Sequence, residues 1–157
     1  MGNNRPAFKK RSDSSSLQRP HEPLVFFLDR CLESKAIVAT LTGAGLELRL
    51  HGKLFKPDAP DVEWLPQVAG NKWVLLTKDQ GIRRRPIEKQ ALLIPYARSF
   101  ILTAGGMTGQ EIADTFIRYL NRIQRIAKNE RVPFVASVTR SGVKVLYSGI
   151  DDCREKD

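Results

Sequence analysis

Two aspartates each follow a short apolar run, and their positions suggest metal chemistry. Asp29 comes directly after the run 24–28, and Asp79 follows the run 73–76 with two residues between. Parallel strands end at the same edge of a sheet, so the two carboxylates converge if these runs form neighbouring strands. The sequence therefore predicts an acidic site at that edge.

A third acid is expected from the segment "PDVEW", in which Asp61 and Glu63 stand near the predicted start of a short helix. Either residue could be this middle acid. Crowded carboxylates repel one another, so the cluster is stable in its ionised form only around a cation. Oxygen ligands without His or Cys favour Mg²⁺ or Mn²⁺, and such an ion activates water for phosphodiester hydrolysis.

A structural role for the same acids is the alternative. An aspartate at a strand end is also a common helix N-cap, and Asp29 could hold the amides of the helix that follows it. Capping would explain a single acid, whereas two acids at equivalent strand ends favour the ligand-binding interpretation.

Basic residues accompany the acids and point to an anionic substrate. Lys78 lies between the run 73–76 and Asp79, and three arginines follow at Arg83, Arg84 and Arg85. Guanidinium groups beside a metal site can hold nucleic acid phosphates, although a charge run can also be a solvated face. The net charge of +9, from 26 Lys plus Arg against 17 Asp plus Glu, suits an anionic partner such as nucleic acid.

Strands and helices alternate in the elements that must position these residues. Such an order with short connections predicts an α/β domain with a mainly parallel central sheet. The continuous apolar run 24–28 indicates a central strand, and the alternating "LELRL" indicates an edge strand. The other predicted elements are a helix over 30–42 that stops at Gly43 or Gly45, a helix starting near Asp58 or Asp61, a loop and helix over 80–96, and a strand over 99–103.

The second half of the chain carries the clearest local signals. Thr108 and Glu111 predict a capping box, and one continuous apolar helix face follows it. That face consists of Ile112, Phe116, Leu120, Ile123 and Ala127. "FVASV" and "VKVLY" around Ser141 and Gly142 predict a hairpin.

The expected organisation is one domain over 23–148, with a flexible basic arm over 1–22 and a polar tail over 149–157. Both terminal segments have the composition of chains that cannot bury a core. Two cysteines, distant in sequence and without metal-ligand spacing, favour a reducing cytoplasm. Since no apolar run approaches the roughly 20 residues of a membrane span, no membrane association is expected.

Four stretches in this order resemble a known family. They are "FFLDRCL", "APDVEWLP", "WVLLTKDQGIRRRP" and "FVASVTRSGVKVL". Together they are similar to the PIN-like domain of a branch of the VapC-type ribonuclease toxins of bacterial toxin–antitoxin pairs. The resemblance extends from about Leu24 to Leu146, and its first and third stretches are the most specific.

The resemblance implies a three-layer α/β/α fold, an acidic Mg²⁺ or Mn²⁺ pocket at the strand ends, and RNA cleavage. By position, Asp29 matches the first acid and Asp79 the acid that closes the third stretch, with Asp61 or Glu63 between them. Many such domains carry a further acid just after the position of Asp79, which is absent here; Glu88 could replace it. The resemblance also implies a cognate antitoxin and a homodimer.

Two other function classes remain open from the residues alone. A receiver-like signalling domain would use Asp79 as phosphoacceptor with Thr103 and Lys144 as switch residues, but Arg30 stands where an adjacent acid is expected. A non-catalytic basic module that binds RNA or protein would use the acids only as caps.

Overall fold

The computed structural model describes residues 23–78 and 95–149 of the 157-residue chain. The strands in these ranges are β1 (Val25–Leu28), β2 (Glu47–Leu50), β3 (Val74–Thr77), β4 (Arg98–Leu102), β5 (Phe134–Thr139) and β6 (Gly142–Ser148). The helices are α1 (Lys35–Gly43), α2 (His51–Leu54), α3 (Asp61–Gly70), α4 (Gly109–Arg118) and α5 (Leu120–Asn129), with a 3₁₀ turn over Arg30–Leu32.

The six strands form one sheet in the order β2-β1-β3-β4-β5-β6. All neighbouring pairs are parallel except β5 and β6, which form the predicted antiparallel hairpin. The prediction of a mainly parallel sheet is confirmed, with the run 24–28 in a central strand and "LELRL" at the edge.

Helices cover both faces of the sheet and give the three layers. Alternate side chains of a strand point to opposite faces, so Phe26 and Leu28 of β1 enter one core and Phe27 enters the other. The larger core packs α1, α4 and α5 against the sheet, and the smaller core packs α3 around Trp64. Burial of β1 on both faces explains its uninterrupted apolar sequence.

The helix predicted over 30–42 begins later than expected. Residues 30–32 form a 3₁₀ turn, and α1 starts at Lys35, where Ser34 Oγ accepts a hydrogen bond from the Ile37 N–H over 3.2 Å. Ser34 is a better cap for this helix because its hydroxyl reaches the third amide of the first turn. The predicted stop is confirmed at Gly45, whose φ of +90° favours glycine.

The long helix predicted after Thr108 is two helices that meet at Tyr119. Tyr119 has φ −104° and ψ 16°, outside the helical range, and its hydroxyl donates to the Arg140 carbonyl oxygen over 2.8 Å. Each half keeps a buried apolar face, but Leu120, at the start of the second helix, is only partly buried. The predicted capping box of Thr108 and Glu111 is confirmed.

The helix predicted near Asp58 or Asp61 begins at Asp61 and continues past Pro66 to Gly70. The predicted loop and helix over 80–96 lie outside the described residues, except for a turn at Pro95 and Tyr96. Of the described helices, none has both the length and the apolar character needed to cross a membrane.

Candidate active site

The register of three parallel strands brings their carboxyl ends to one level. Leu28, at the end of β1, is paired with Leu50 of β2 on one side and with Leu76 of β3 on the other. The residues that come next along the three strands are His51, Asp29 and Thr77. The Asp29 N–H donates to the Leu76 carbonyl oxygen over 3.1 Å, which extends the sheet pairing as far as the acid.

Asp29 is buried, and both of its carboxylate oxygens accept hydrogen bonds. Oδ2 accepts from the Thr77 hydroxyl over 2.7 Å, and Oδ1 accepts from the Arg30 N–H over 2.6 Å. The capping interpretation therefore holds for the 3₁₀ turn, whereas Ser34 caps α1. A carboxylate oxygen has two lone pairs, so these bonds orient Asp29 and leave acceptor capacity for a further partner.

Asp61 shares a cavity with Asp29, whereas Glu63 does not line it. The cavity has a volume of about 430 Å³ at the carboxyl ends of the strands. Asp61 is half-buried, and its Oδ1 accepts a hydrogen bond from Trp64 Nε1 over 3.1 Å. Glu63 is exposed on α3. Of the three candidate acids among the described residues, the structure therefore brings Asp29 and Asp61 together and leaves Glu63 apart.

The lining of this cavity carries both signs of charge. Besides the two aspartates, its polar members are Arg30, Cys31, His51 and Lys78. Lys78 is exposed and follows β3 directly, so the predicted substrate-binding lysine stands at the site. Cations beside carboxylates suit a site that accepts phosphate when the acids hold a metal ion.

The remaining predicted site residues, Asp79, Arg83, Arg84 and Arg85, lie outside the described residues, as does Glu88. Asp79 is the next residue in the chain after the cavity-lining Lys78. Within 23–78 and 95–149, no group of three or more His, Cys, Asp and Glu side chains is placed to hold a metal ion.

Sequence reasoning missed Cys31 as a member of the site. Its Sγ lies 3.5 Å from Thr77 Oγ1, and the Lys78 N–H donates to Sγ over 3.5 Å. Desolvation, followed by the Asp29 charge, raises the pKa of the Cys31 thiol above its usual value. Cys31 therefore favours the neutral thiol beside the acid.

His51 was also missed, although it directly follows the strand predicted at the sheet edge. Desolvation lowers the pKa of His51, and the nearby charges of Asp29 and Glu33 oppose this shift. The position of a residue just after a parallel strand is the same signal that identified Asp29, and it could have identified His51.

Of the two switch residues of the receiver alternative, Lys144 does not share this arrangement. Lys144 is exposed on β6 and pairs with Ser137, within the antiparallel hairpin. It is therefore not at the carboxyl end of a parallel strand. Thr103 follows β4, which pairs in parallel with β3, so it lies at the same edge of the sheet as Thr77.

Comparison with known proteins gives two findings. The family model described as "PIN like domain" matches residues 24–104, which is just over half of the chain. The "Putative ribonuclease VapC45" of Mycobacterium tuberculosis is 27% identical over 121 residues, which cover 74% of this chain and 87% of that protein. No solved structure matches the chain with statistical significance.

Proposed function

Because the chain belongs to the PIN-like domain family, we propose that it is a metal-dependent endoribonuclease that hydrolyses RNA phosphodiesters. The observation that carries this proposal is the presence of Asp29 and Asp61 in one cavity at the carboxyl edge of a parallel sheet. The similarity to a protein named as a ribonuclease supports the choice of RNA as substrate.

The donor chemistry of the cavity fits Mg²⁺ or Mn²⁺. Asp29 and Asp61 offer oxygen ligands, and Asp79, one residue after Lys78, is proposed to complete the set. Such an ion, when bound, supplies an activated water and neutralises negative charge on the phosphate. We assign Asp61 rather than Glu63 as the middle acid because Glu63 is exposed on α3 and does not line the cavity.

The protein side chains have separate tasks in this proposal. The Thr77 hydroxyl orients Asp29, and the Trp64 indole N–H orients Asp61. Carboxylates held by such hydrogen bonds bind a metal more tightly because they are already oriented before the metal arrives. Lys78 and the arginines Arg83, Arg84 and Arg85 are proposed to hold the RNA phosphates, since ammonium and guanidinium groups donate to phosphate oxygens.

Cleavage of a pool of structured RNAs by purified protein tests the proposal. We expect cleavage with Mg²⁺ or Mn²⁺, no cleavage in EDTA, and no cleavage by Asp29→Asn or Asp79→Asn. Circular dichroism must show that the variants are folded. Metal-independent RNA binding without cleavage by the folded wild-type protein would contradict the proposal and favour the non-catalytic basic module.

The toxin role is a second step of the proposal and depends on the first. We propose a type II toxin that acts in the cytoplasm, forms a homodimer and is inhibited by a cognate antitoxin. Support comes from the similarity to a protein named VapC45. Induced expression should arrest bacterial growth in the wild type and not in Asp29→Asn, and growth of both strains alike would reject a toxic activity. Light scattering of the purified protein tests the dimer.

A further inference from the structure

His51 occupies a fixed position at the wall of the candidate active site. It is the first residue of α2 and directly follows Leu50, whose strand partner Leu28 directly precedes Asp29. The next residue is held in place, since the Gly52 N–H donates to Glu33 Oε2 over 2.7 Å. A Cβ atom at Gly52 would lie 2.7 Å from Glu33 Oε1, so glycine allows this close approach. The backbone that carries His51 is therefore tied to the turn after Asp29.

Aromatic rings enclose the imidazole on several sides. The ring centroids of Trp64, Phe55 and Phe27 lie 5.0, 5.5 and 6.2 Å from that of His51. The residue is only 2% exposed, yet it lines the cavity that contains Asp29 and Asp61. Such packing holds the ring in one orientation.

The two ring nitrogens differ in their surroundings. Within the described residues, His51 Nδ1 is buried and has no hydrogen-bond partner. Nε2 makes no hydrogen bond within the described residues and, unlike Nδ1, is not fully buried, which leaves it as the nitrogen that can face the cavity lined by His51. Buried N–H groups without partners are rare in proteins, which favours the neutral tautomer with its proton on Nε2. Desolvation of the ring also favours the neutral form.

We propose that His51 is a substrate-contacting residue whose Nε2–H donates a hydrogen bond to a phosphate oxygen of the bound nucleic acid strand. This inference rests on the proposed nuclease function for the location of the strand. A phosphate oxygen only accepts hydrogen bonds, which matches an N–H that only donates. Lys78 and Arg30 line the same cavity and favour the phosphate over a neutral group.

Three substitutions separate a hydrogen bond from a packing role. His51→Gln keeps a donor near the position of Nε2, His51→Asn places its amide nearer Nδ1, and His51→Phe keeps an aromatic ring without a donor. Affinity for a short labelled RNA is measured by fluorescence anisotropy in Ca²⁺ buffer. We expect about tenfold weaker binding for His51→Phe and His51→Asn, and recovery in His51→Gln. Equal affinity in all three folded variants would overturn the inference.

Whether the acceptor is the phosphate or the 2′-hydroxyl is tested by repeating the binding measurement with a DNA oligonucleotide of the same sequence. A phosphate contact predicts the same tenfold loss for His51→Phe with DNA, because DNA keeps the phosphate and lacks the 2′-hydroxyl. A loss confined to RNA would assign the contact to the 2′-hydroxyl and reject the phosphate.

Nuclear magnetic resonance tests the inference without substitution of His51. The chain has two histidines, so a His21→Ala variant assigns the signals of His51. We expect the Nε2-protonated neutral tautomer and a shift of its Nε2 resonance when the oligonucleotide is added. A proton on Nδ1, or no shift at saturation, would reject the contact.

Failure of the nuclease proposal gives a different pattern. If no metal supports cleavage but His51→Phe still binds RNA more weakly than His51→Gln, the contact between His51 and the strand is supported and the catalytic function is rejected. If the wild-type protein cleaves RNA and the three variants bind RNA with equal affinity, the catalytic function is supported and the His51 contact is rejected.

Discussion

Thr77 Oγ1 donates a hydrogen bond of 2.7 Å to Asp29 Oδ2, and this bond joins the carboxyl ends of two adjacent parallel strands. Thr77 is fully buried and Asp29 is nearly so, at 0% and 9% exposure. A hydrogen bond to a buried carboxylate is stronger than one in water, so it restricts the carboxylate to one orientation. The Thr77 hydroxyl at the end of β3 therefore fixes the orientation of Asp29, the first acid of the candidate site.

Replacement of Thr77 by valine tests this relationship. The two side chains have similar shapes, but valine cannot donate to Asp29. We expect Mn²⁺ affinity to fall by about 10- to 100-fold, as for other residues that orient metal ligands. We also expect a loss of about 1–3 kcal/mol in the free energy of unfolding. Isothermal titration calorimetry and urea denaturation measure the two effects.

Thr77→Ser is the matched control, because it keeps the hydroxyl and removes only a methyl group. It should bind Mn²⁺ nearly as well as the wild type. If Thr77→Val and Thr77→Ser bind the metal equally, the hydroxyl has no orienting role.

A paired substitution decides which residue is the middle acid. Asp61→Asn should abolish cleavage, since it removes the charge from the cavity while Asn can still accept the Trp64 hydrogen bond. Glu63→Gln should leave the rate within about twofold, since surface substitutions usually have small effects. Single-turnover RNA cleavage measures both variants. The reverse result would assign the role to Glu63.

The Cys31 thiol reports the charge on Asp29. Because desolvation and the Asp29 charge raise the pKa of this thiol, its alkylation should be slow near neutral pH and increase at alkaline pH. Asp29→Asn removes one of the two causes, so it should speed alkylation at a given pH. Mass spectrometry after iodoacetamide treatment, in a Cys153→Ser background, measures the rate. An unchanged rate in Asp29→Asn would show that the charge does not reach the thiol.

Stability of the metal-free protein should decrease at acidic pH because of His51. Its pKa is lowered in the folded state by desolvation, with Arg30 acting in the same direction and Asp29 and Glu33 opposing. Below the unfolded-state value of about 6.5, the unfolded chain therefore binds a proton more readily than the folded chain. This loss of folding stability is absent above that pH. It grows as the pH falls towards the folded-state pKa of His51.

Urea denaturation in EDTA, at about pH 7.5 and at lower pH, measures this effect. His51→Gln does not titrate, so its stability should fall less steeply than that of the wild type. Parallel curves for the two proteins would exclude His51 as a source of the pH dependence.

The elements of the fold could be predicted largely from the sequence because their signals are local. Continuous apolar runs identified β1 and β3, apolar alternation identified β2, and the capping box at Thr108 identified the start of α4. The same reasoning failed at Tyr119, where a hydrogen bond to Arg140 accompanies a helix break that periodicity alone does not reveal. It also failed at Ser34, because the chain inserts a 3₁₀ turn before α1.

The sequence by itself determined that acids follow the strands of a parallel sheet, since both the apolar runs and the acids are adjacent along the chain. Only the tertiary structure decided that β1 lies between β2 and β3, which brings His51, Asp29 and Thr77 to one level. It also decided that Asp61, and not Glu63, lines the cavity with Asp29. These relationships depend on strand register and on helix packing between residues distant in sequence, and local patterns do not specify either one.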